Sequence, residues 1–238
     1  MQTKNIGFDR TVHRAWLDAV ASKQAAGLSK PEMREFGIRL LTPAHPSREA
    51  RKKTLTVLLH LWVDVPTEVV NLRNSALQLM GQISAPDRIV LHWGMALATY
   101  PFFRDIADTA GRLLALQEFV TLGQIQKRIA EKWGHRSTVE RTSRHVVRSM
   151  VEWGALKDTK HRGTYASGAR LPVEASLALW LVQAVLTRNG VNDLPLPLLV
   201  NYPGLFPFDL RISTNELRRA PQFILHRQAL DEEIVALR

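Results

Sequence analysis

From Phe8 to about Tyr100 the apolar residues recur at three- and four-residue spacing, with little strand-like alternation. "DRTVHRAWLDAVASKQAAG" puts Val12, Trp16, Ala19 and Val20 on one side and stops at Gly27, which predicts a first helix. "SKPEMREFGIRLL" predicts a second, with Ser29 as N-cap and Pro31 in the first turn, where its missing N–H does little harm. "TPAHP" at 42–46 breaks the chain. A third helix is expected from Ser47 to about Val63, basic at its start (Arg48, Arg51, Lys52, Lys53) and apolar later (Leu55, Leu58, Leu59, Trp62). Two more, Pro66 to Met80 and Pro86 to Thr99, each open on a proline with an acidic residue within two positions, which suits the positive end of a helix dipole. Together they predict a helical N-terminal domain over residues 1–100.

The pattern then changes. "YPFFRDIADTAGRLLALQ" carries Phe103, Ile106, Ala110, Leu113 and Leu114 as one apolar stripe, and "EFV" predicts a brief extended piece. "TLGQIQKRIAEKW" begins on Thr121 with Gln124 three residues on, a capping box. After the turn "GHR", Ser137 and Glu140 repeat that spacing, so two capping boxes flank a short Gly-containing turn and predict a helix-turn-helix. Gly154 stands where a C-terminal glycine cap belongs. Beyond it, Ala155–Asp158 can pair with Thr164–Ala166 across the basic turn Lys160-His161-Arg162-Gly163. Helix, strand, helix, turn, helix and hairpin is the element order of a winged helix-turn-helix, placed at 101–168.

Residues 169–238 predict a compact C-terminal segment packed on the other two parts. "VEASLALWLVQAVL" (Val173 to Leu186), with Pro172 at its start, is the most apolar window. It contains Glu174 and is too short to span about 30 Å of hydrocarbon, so it reads as a core helix. Pro195, Pro197, Pro203 and Pro207 then predict an ordered, core-covering loop through Leu210. A short capped helix is expected near Ser213, "QFILHR" as a strand, and "LDEE" (Leu230 to Glu233) as a first helical turn. The expected fold class is mainly α.

Charge decides which chemistry to look for. The 238 residues carry 32 Lys plus Arg against 22 acidic side chains, a net +10 with a pI near 10.4. Such a surplus points to a polyanion or an acidic lipid surface; the alternative is a basic but inert surface. There is no cysteine, which excludes disulfides, thiolate zinc sites and cysteine nucleophiles and makes a reducing cytosol the simplest setting. The N-terminal "MQTKNIGFDRTVHRAWLDAV" has none of the parts of a signal peptide, so a soluble, cytoplasmic protein without membrane association is expected.

The sharpest candidate is the helix "STVERTSRHVVRSMVEW". At 100° per residue, Val139, Val146, Met150 and Trp153 fall together with Val147 at their flank, while Arg141, Arg144, His145 and Arg148 fall opposite. A solvated face normally mixes signs; three arginines and a histidine without acidic neighbours repel one another unless an anion docks. Arg136, just before the helix, and Lys160, His161 and Arg162 in the expected wing extend the positive strip. In a helix-turn-helix on double-stranded DNA, Ser137, Thr138, Arg141 and Arg144 would face base edges or nearby phosphates, and Arg148 with the wing would hold the backbone. A protein-docking winged helix and a repressor acting as a symmetric dimer remain as alternatives. The basic start of the third helix also has two readings, a solvated face or a place where a phosphate offsets the unfavourable dipole.

Catalytic chemistry finds little support. His13, His45, His60, His92, His135, His145, His161 and His226 are scattered, with no HExxH, and no Gly-rich phosphate loop or GxSxG elbow occurs. His60 with Asp64 shares a helix face but reads better as a satisfied histidine. Glu152, Asp158 and Lys160 imitate nuclease spacing only across the end of a helix and a hairpin. No enzyme activity, metal or cofactor is expected.

The stretches "YPFFRD" (Tyr100 to Asp105) and "STVERTSRHVVRSMVEWGAL" (Ser137 to Leu156), in this element order, resemble the BrxA family of BREX anti-phage defence systems. The resemblance covers about half of the chain. It implies a helical DNA-binding accessory protein that acts with a methyltransferase and other defence components in a bacterial cytoplasm. Some members carry a membrane-protein label, for which this sequence offers no spanning segment. The family supplies no catalytic residues to carry over.

Overall fold

A computed structural model describes residues 6–187, 193–228 and 232–238. Five helices form the first part: α1 (Arg14–Ala25), α2 (Lys30–Leu41), α3 (Arg48–Trp62), α4 (Val70–Met80) and α5 (Arg88–Thr99). Their starts follow the expected chemistry. Ser29 and Glu32 close a reciprocal capping box on α2, and the Ser47 hydroxyl accepts from the Ala50 amide at 3.4 Å on α3. α4 and α5 begin later than their prolines suggest. Pro66 leads into one 3-10 turn, Thr67–Val69, and Asp87 is the N-cap of α5. On α1 the core side is Leu17, Val20 and Ala21; Trp16 is half-buried, its ring edge against His13 at 4.4 Å and tilted toward His45 at 5.5 Å.

Every residue of α5 from Ile89 to Thr99 is buried, as expected of a helix apolar almost all round. Two of these residues are polar, Thr99 and His92; His92 is fully buried, with Nε2 3.0 Å from Asp18 Oδ1 and Nδ1 buried without a partner among the described residues. Burial holds this imidazole below its ordinary range, with the nearby Arg14 and Arg88 acting in the same direction against Asp18. The unfolded chain would protonate His92 near its ordinary value, about 6.5, so stability is full above that pH and falls as pH drops below it. The midpoint of urea unfolding is therefore expected to be lower at about pH 5.5 than at about pH 7.5, and His92→Gln should shrink that difference. An unchanged difference in the variant would assign the acid sensitivity to other groups.

The next stretch runs α6 (Pro101–Leu114), β1 (Phe119–Thr121), α7 (Leu122–Trp133), α8 (Ser137–Glu152), β2 (Leu156–Asp158) and β3 (Thr164–Ser167). These strands form one antiparallel sheet in the order β1-β3-β2, with Val120 opposite Tyr165 and Lys157 opposite Ala166. The Thr121–Gln124 capping box is present. Gly154, at φ 78°, ends α8 in the left-handed conformation that only glycine adopts cheaply, and the Ala155 amide returns to Met150 O at 2.9 Å. That reversal turns the chain directly into β2.

The C-terminal part departs most from expectation. Pro172 does not start a helix; it lies in β4 (Leu171–Val173), which pairs in parallel with β6 (Phe208–Leu210). A proline has no amide to give, and here it needs none because it sits on a two-stranded edge. α9 (Ala175–Leu186) is the buried apolar helix. The proline-rich stretch is not a plain loop but β5 (Asp193–Pro195), α10 (Leu196–Val200), a 3-10 turn at Pro203–Leu205, and β6. α11 (Thr214–Arg219) is the short capped helix expected near Ser213, and its cap is a capping box with Glu216. β7 (Phe223–Gln228) pairs with β8 (Glu232–Leu237), which in turn pairs with β5. Glu232 and Glu233 are thus strand residues rather than a helical turn, because Ile234 and Val235 are needed in the ladder; Leu230 and Asp231 lie outside the described residues.

One apolar cluster, extending from Ile6 to Val235, crosses the expected boundaries near 100 and 168. Its centre is aromatic. Trp93 of α5 meets Phe103, Trp153, Phe206 and Phe208 edge-on at 5.2, 6.1, 5.5 and 5.8 Å, and its indole N–H donates to Gly204 O at 2.9 Å. α6 comes so close to the Pro203–Leu205 turn that a Cβ on Gly111 would stand 1.9 Å from Pro203 O. The chain is mostly helical, 60% helix and 13% strand. No single described helix is long and apolar enough to cross a membrane; α3 with the Thr67–Met80 segment reaches that length only together, across a 56° bend.

Candidate nucleic-acid interface

α8 divides as its sequence predicts on the apolar side. Val139, Val146, Val147, Met150 and Trp153 are buried, joined by Thr142, Ser143 and Ser149. The small hydroxyl residues fit inside because two of them bond their own helix: Ser143 Oγ donates to Val139 O at 2.8 Å and Ser149 Oγ to His145 O at 3.0 Å. The opposite side exposes Ser137, Thr138, Arg141, Arg144 and Arg148, and no large apolar residue.

The start of α8 corrects the sequence reading. Ser137 and Glu140 form no capping box, because the helix begins one residue earlier than that spacing requires. Arg136 is the N-cap: its carbonyl accepts from the Val139 and Glu140 amides at 2.9 and 3.2 Å. Its guanidinium donates to Trp133 O at 3.1 Å and so ties the end of α7 to the start of α8. The Gln126 side chain adds a second tie, to Glu140 O at 2.9 Å. Ser137 and Thr138 are left in the first turn with exposed side chains.

The strip of four uncompensated basic groups is corrected as well. Arg148 has counter-charges, Asp158 at 2.7 Å and Glu152 at 3.2 Å, and these contacts hold it more firmly protonated. The wheel missed Asp158 because it comes from β2, folded back beside the helix. His145 is half-buried with Nδ1 3.0 Å from Thr11 Oγ1, and burial with Arg10, Arg141 and Arg144 nearby holds its ring below the ordinary range. It is a neutral bracing group at pH 7, not a fourth cation. Arg141 and Arg144 remain exposed, and among the described residues neither has an ion-pair partner, Glu140 included.

What braces α8 was not legible in the sequence. Residues 11–13 lie along its C-terminal half: the Val12 amide donates to Ser149 Oγ at 2.9 Å, the Trp153 indole N–H to Val12 O at 2.8 Å, and His13 meets Glu152 at 3.0 Å. These partners are more than a hundred positions apart, and local periodicity carries no trace of them. Arg10, which acts on His145, comes near α8 the same way.

In the hairpin, Lys160, His161 and Arg162 are exposed at the turn. The Thr159 hydroxyl accepts from the His161 amide at 3.2 Å, and Gly163 O accepts from the Leu122 amide at 2.8 Å, which anchors the turn to the start of α7. Lys157, exposed on β2, is a further cation that sequence reasoning passed over. No protein-family model, curated protein or solved structure matches this chain.

The other candidates come apart. Glu152 and Asp158 both bind Arg148. His60 Nδ1 lies 3.0 Å from the backbone O of Asp64, whose carboxylate goes to Lys30 at 2.6 Å. Among the described residues no three His, Asp or Glu side chains are grouped to hold a metal. At the basic start of α3, Lys52 meets Glu49 at 3.4 Å and Arg51 donates to Thr42 Oγ1 at 3.4 Å, while Arg48 and Lys53 are exposed.

Proposed function

We propose that this chain binds double-stranded DNA through a winged helix-turn-helix, with α8 as the helix that enters the major groove and the β2–β3 turn as the wing. The observation that carries the reading is the pair Arg141 and Arg144, exposed and without ion-pair partners among the described residues, on a helix whose other face is locked into the core. Their planar forks suit phosphates and guanine edges, and leaving them unpaired costs least when an anion docks. The α6-β1-α7-α8-β2-β3 order and the β1-β3-β2 sheet support this placement. Among the described residues the exposed large apolar side chains, Leu116, Phe119, Leu198 and Ile224, all lie outside α8, so a partner docking by apolar contact would use another surface.

No catalytic step belongs to this reading; the protein is an accessory factor. The resemblance to the BrxA family supports a role in anti-phage defence in a bacterial cytoplasm, beside a methyltransferase and other components. The test is a salt titration of binding to a random-sequence duplex by fluorescence anisotropy, from about 50 to 200 mM salt. Log affinity should fall linearly with log salt at a slope of about three to five, matching the few exposed cations of α8 and the turn. No binding at the lowest salt would sink the reading, and a flat slope would remove the phosphates from it.

A further inference from the structure

A cleft of about 1160 Å³ opens between α2, α3, the α5–α6 junction and the end of α7, made of residues other than those of the proposed DNA face. Four cations line it from four helices: Arg34, Lys52, Arg104 and Lys132. Its two carboxylates are engaged within the protein. Asp64 binds Lys30 at 2.6 Å, and Asp105 binds Lys132 and the Trp133 indole N–H, each at 2.7 Å. Arg34 is exposed with no ion pair among the described residues, and the Lys52–Glu49 contact, 3.4 Å between largely exposed groups, is weak. The lining therefore has positive charge to spare.

The rest of the wall is of another kind. Ile38 and Pro101, part-exposed, give it apolar surface, over a floor of the buried Leu55, Leu59, Tyr100 and Trp133 beside His60. An inorganic anion would leave that surface wet, and a purely apolar ligand would leave the cations unanswered. A flat apolar body bearing a phosphate satisfies both, since a base covers apolar surface and arginine takes phosphate bidentately. We propose that this cleft binds a nucleotide, free or as the phosphorylated end of a nucleic-acid strand, with Arg34 and Lys52 holding the phosphate. The duplex-binding reading can fail without touching this one, because the two use different residues.

Isothermal titration calorimetry at low salt would measure binding of ATP and of a short 5′-phosphorylated single strand to the full chain. At least one should bind. Arg34→Glu with Lys52→Glu, both on solvent-facing positions, should weaken that binding more than about tenfold, and Arg141→Ala with Arg144→Ala should leave the binding of ATP unchanged. Binding by ATP identifies a free nucleotide; binding by the strand alone identifies a strand end. The proposal falls if neither binds, if the charge-reversed variant binds as the parent does, or if inorganic phosphate or a polyglutamate peptide binds as tightly as the nucleotide.

Discussion

Replacing Arg141 and Arg144 together by alanine is expected to weaken duplex binding more than about tenfold and to lower the log–log salt slope by about two. The far-ultraviolet circular dichroism and the thermal midpoint should stay at parental values. Both side chains are exposed, neither makes an ion pair among the described residues, and alanine is the better helix former, so the folded state loses nothing it uses. Arg148→Ala is the contrasting variant. Asp158 and Glu152 already occupy its guanidinium, so its removal should cost binding less and should free two carboxylates beside the interface. If the double variant binds DNA as the parent does, α8 is not the reading helix, whatever else the chain binds.

The second large effect is on stability. Trp93→Ala is expected to cost roughly 3–5 kcal/mol, the range for truncating a fully buried aromatic side chain. Measured by urea unfolding, that is a large part of the roughly 5–15 kcal/mol available to a domain. Trp93 is where α5, α6, the end of α8 and the Phe206–Phe208 segment meet, so the cavity would open between parts distant in sequence and could not be closed by one helix shifting. Trp93→Phe keeps a ring but leaves Gly204 O without its donor, and should cost less, about 1–3 kcal/mol. A loss under about 1 kcal/mol for Trp93→Ala would mean that the aromatic cluster is not what joins these parts.

Much of the fold was legible because its signals are local. Thr121 with Gln124 marks a helix start within four residues and its capping box is present, and the caps expected at Ser29 and near Ser213 stand too, each completed by a glutamate three residues on, Glu32 and Glu216. The stripe of Val139, Val146, Met150 and Trp153 was readable as a core face from 3.6-residue periodicity alone. The same local logic failed where a neighbour competed. Ser137 and Glu140 have capping-box spacing, yet Arg136 takes the cap, because its carbonyl accepts the first amides while its side chain bonds the end of α7. Around the prolines the misreading was of another kind. Pro172 and Pro195 lie in strands that exist only because β6 and β8 come alongside, and nothing within a few residues of either proline announces those partners.

The candidate interface divides the same way. That Arg141 and Arg144 stand opposite the apolar stripe follows from helical geometry and was determined by the sequence itself, as were the basic balance and the hairpin after Gly154. Only the tertiary structure decided which basic groups stay uncompensated: it brought Asp158 to Arg148, and it laid Thr11 against His145 with burial enough to keep the ring neutral. The physical reason is one of range. Periodicity, caps and turns are set by neighbours a few bonds away, whereas charge pairing and desolvation depend on whatever the folded chain places within a few ångströms.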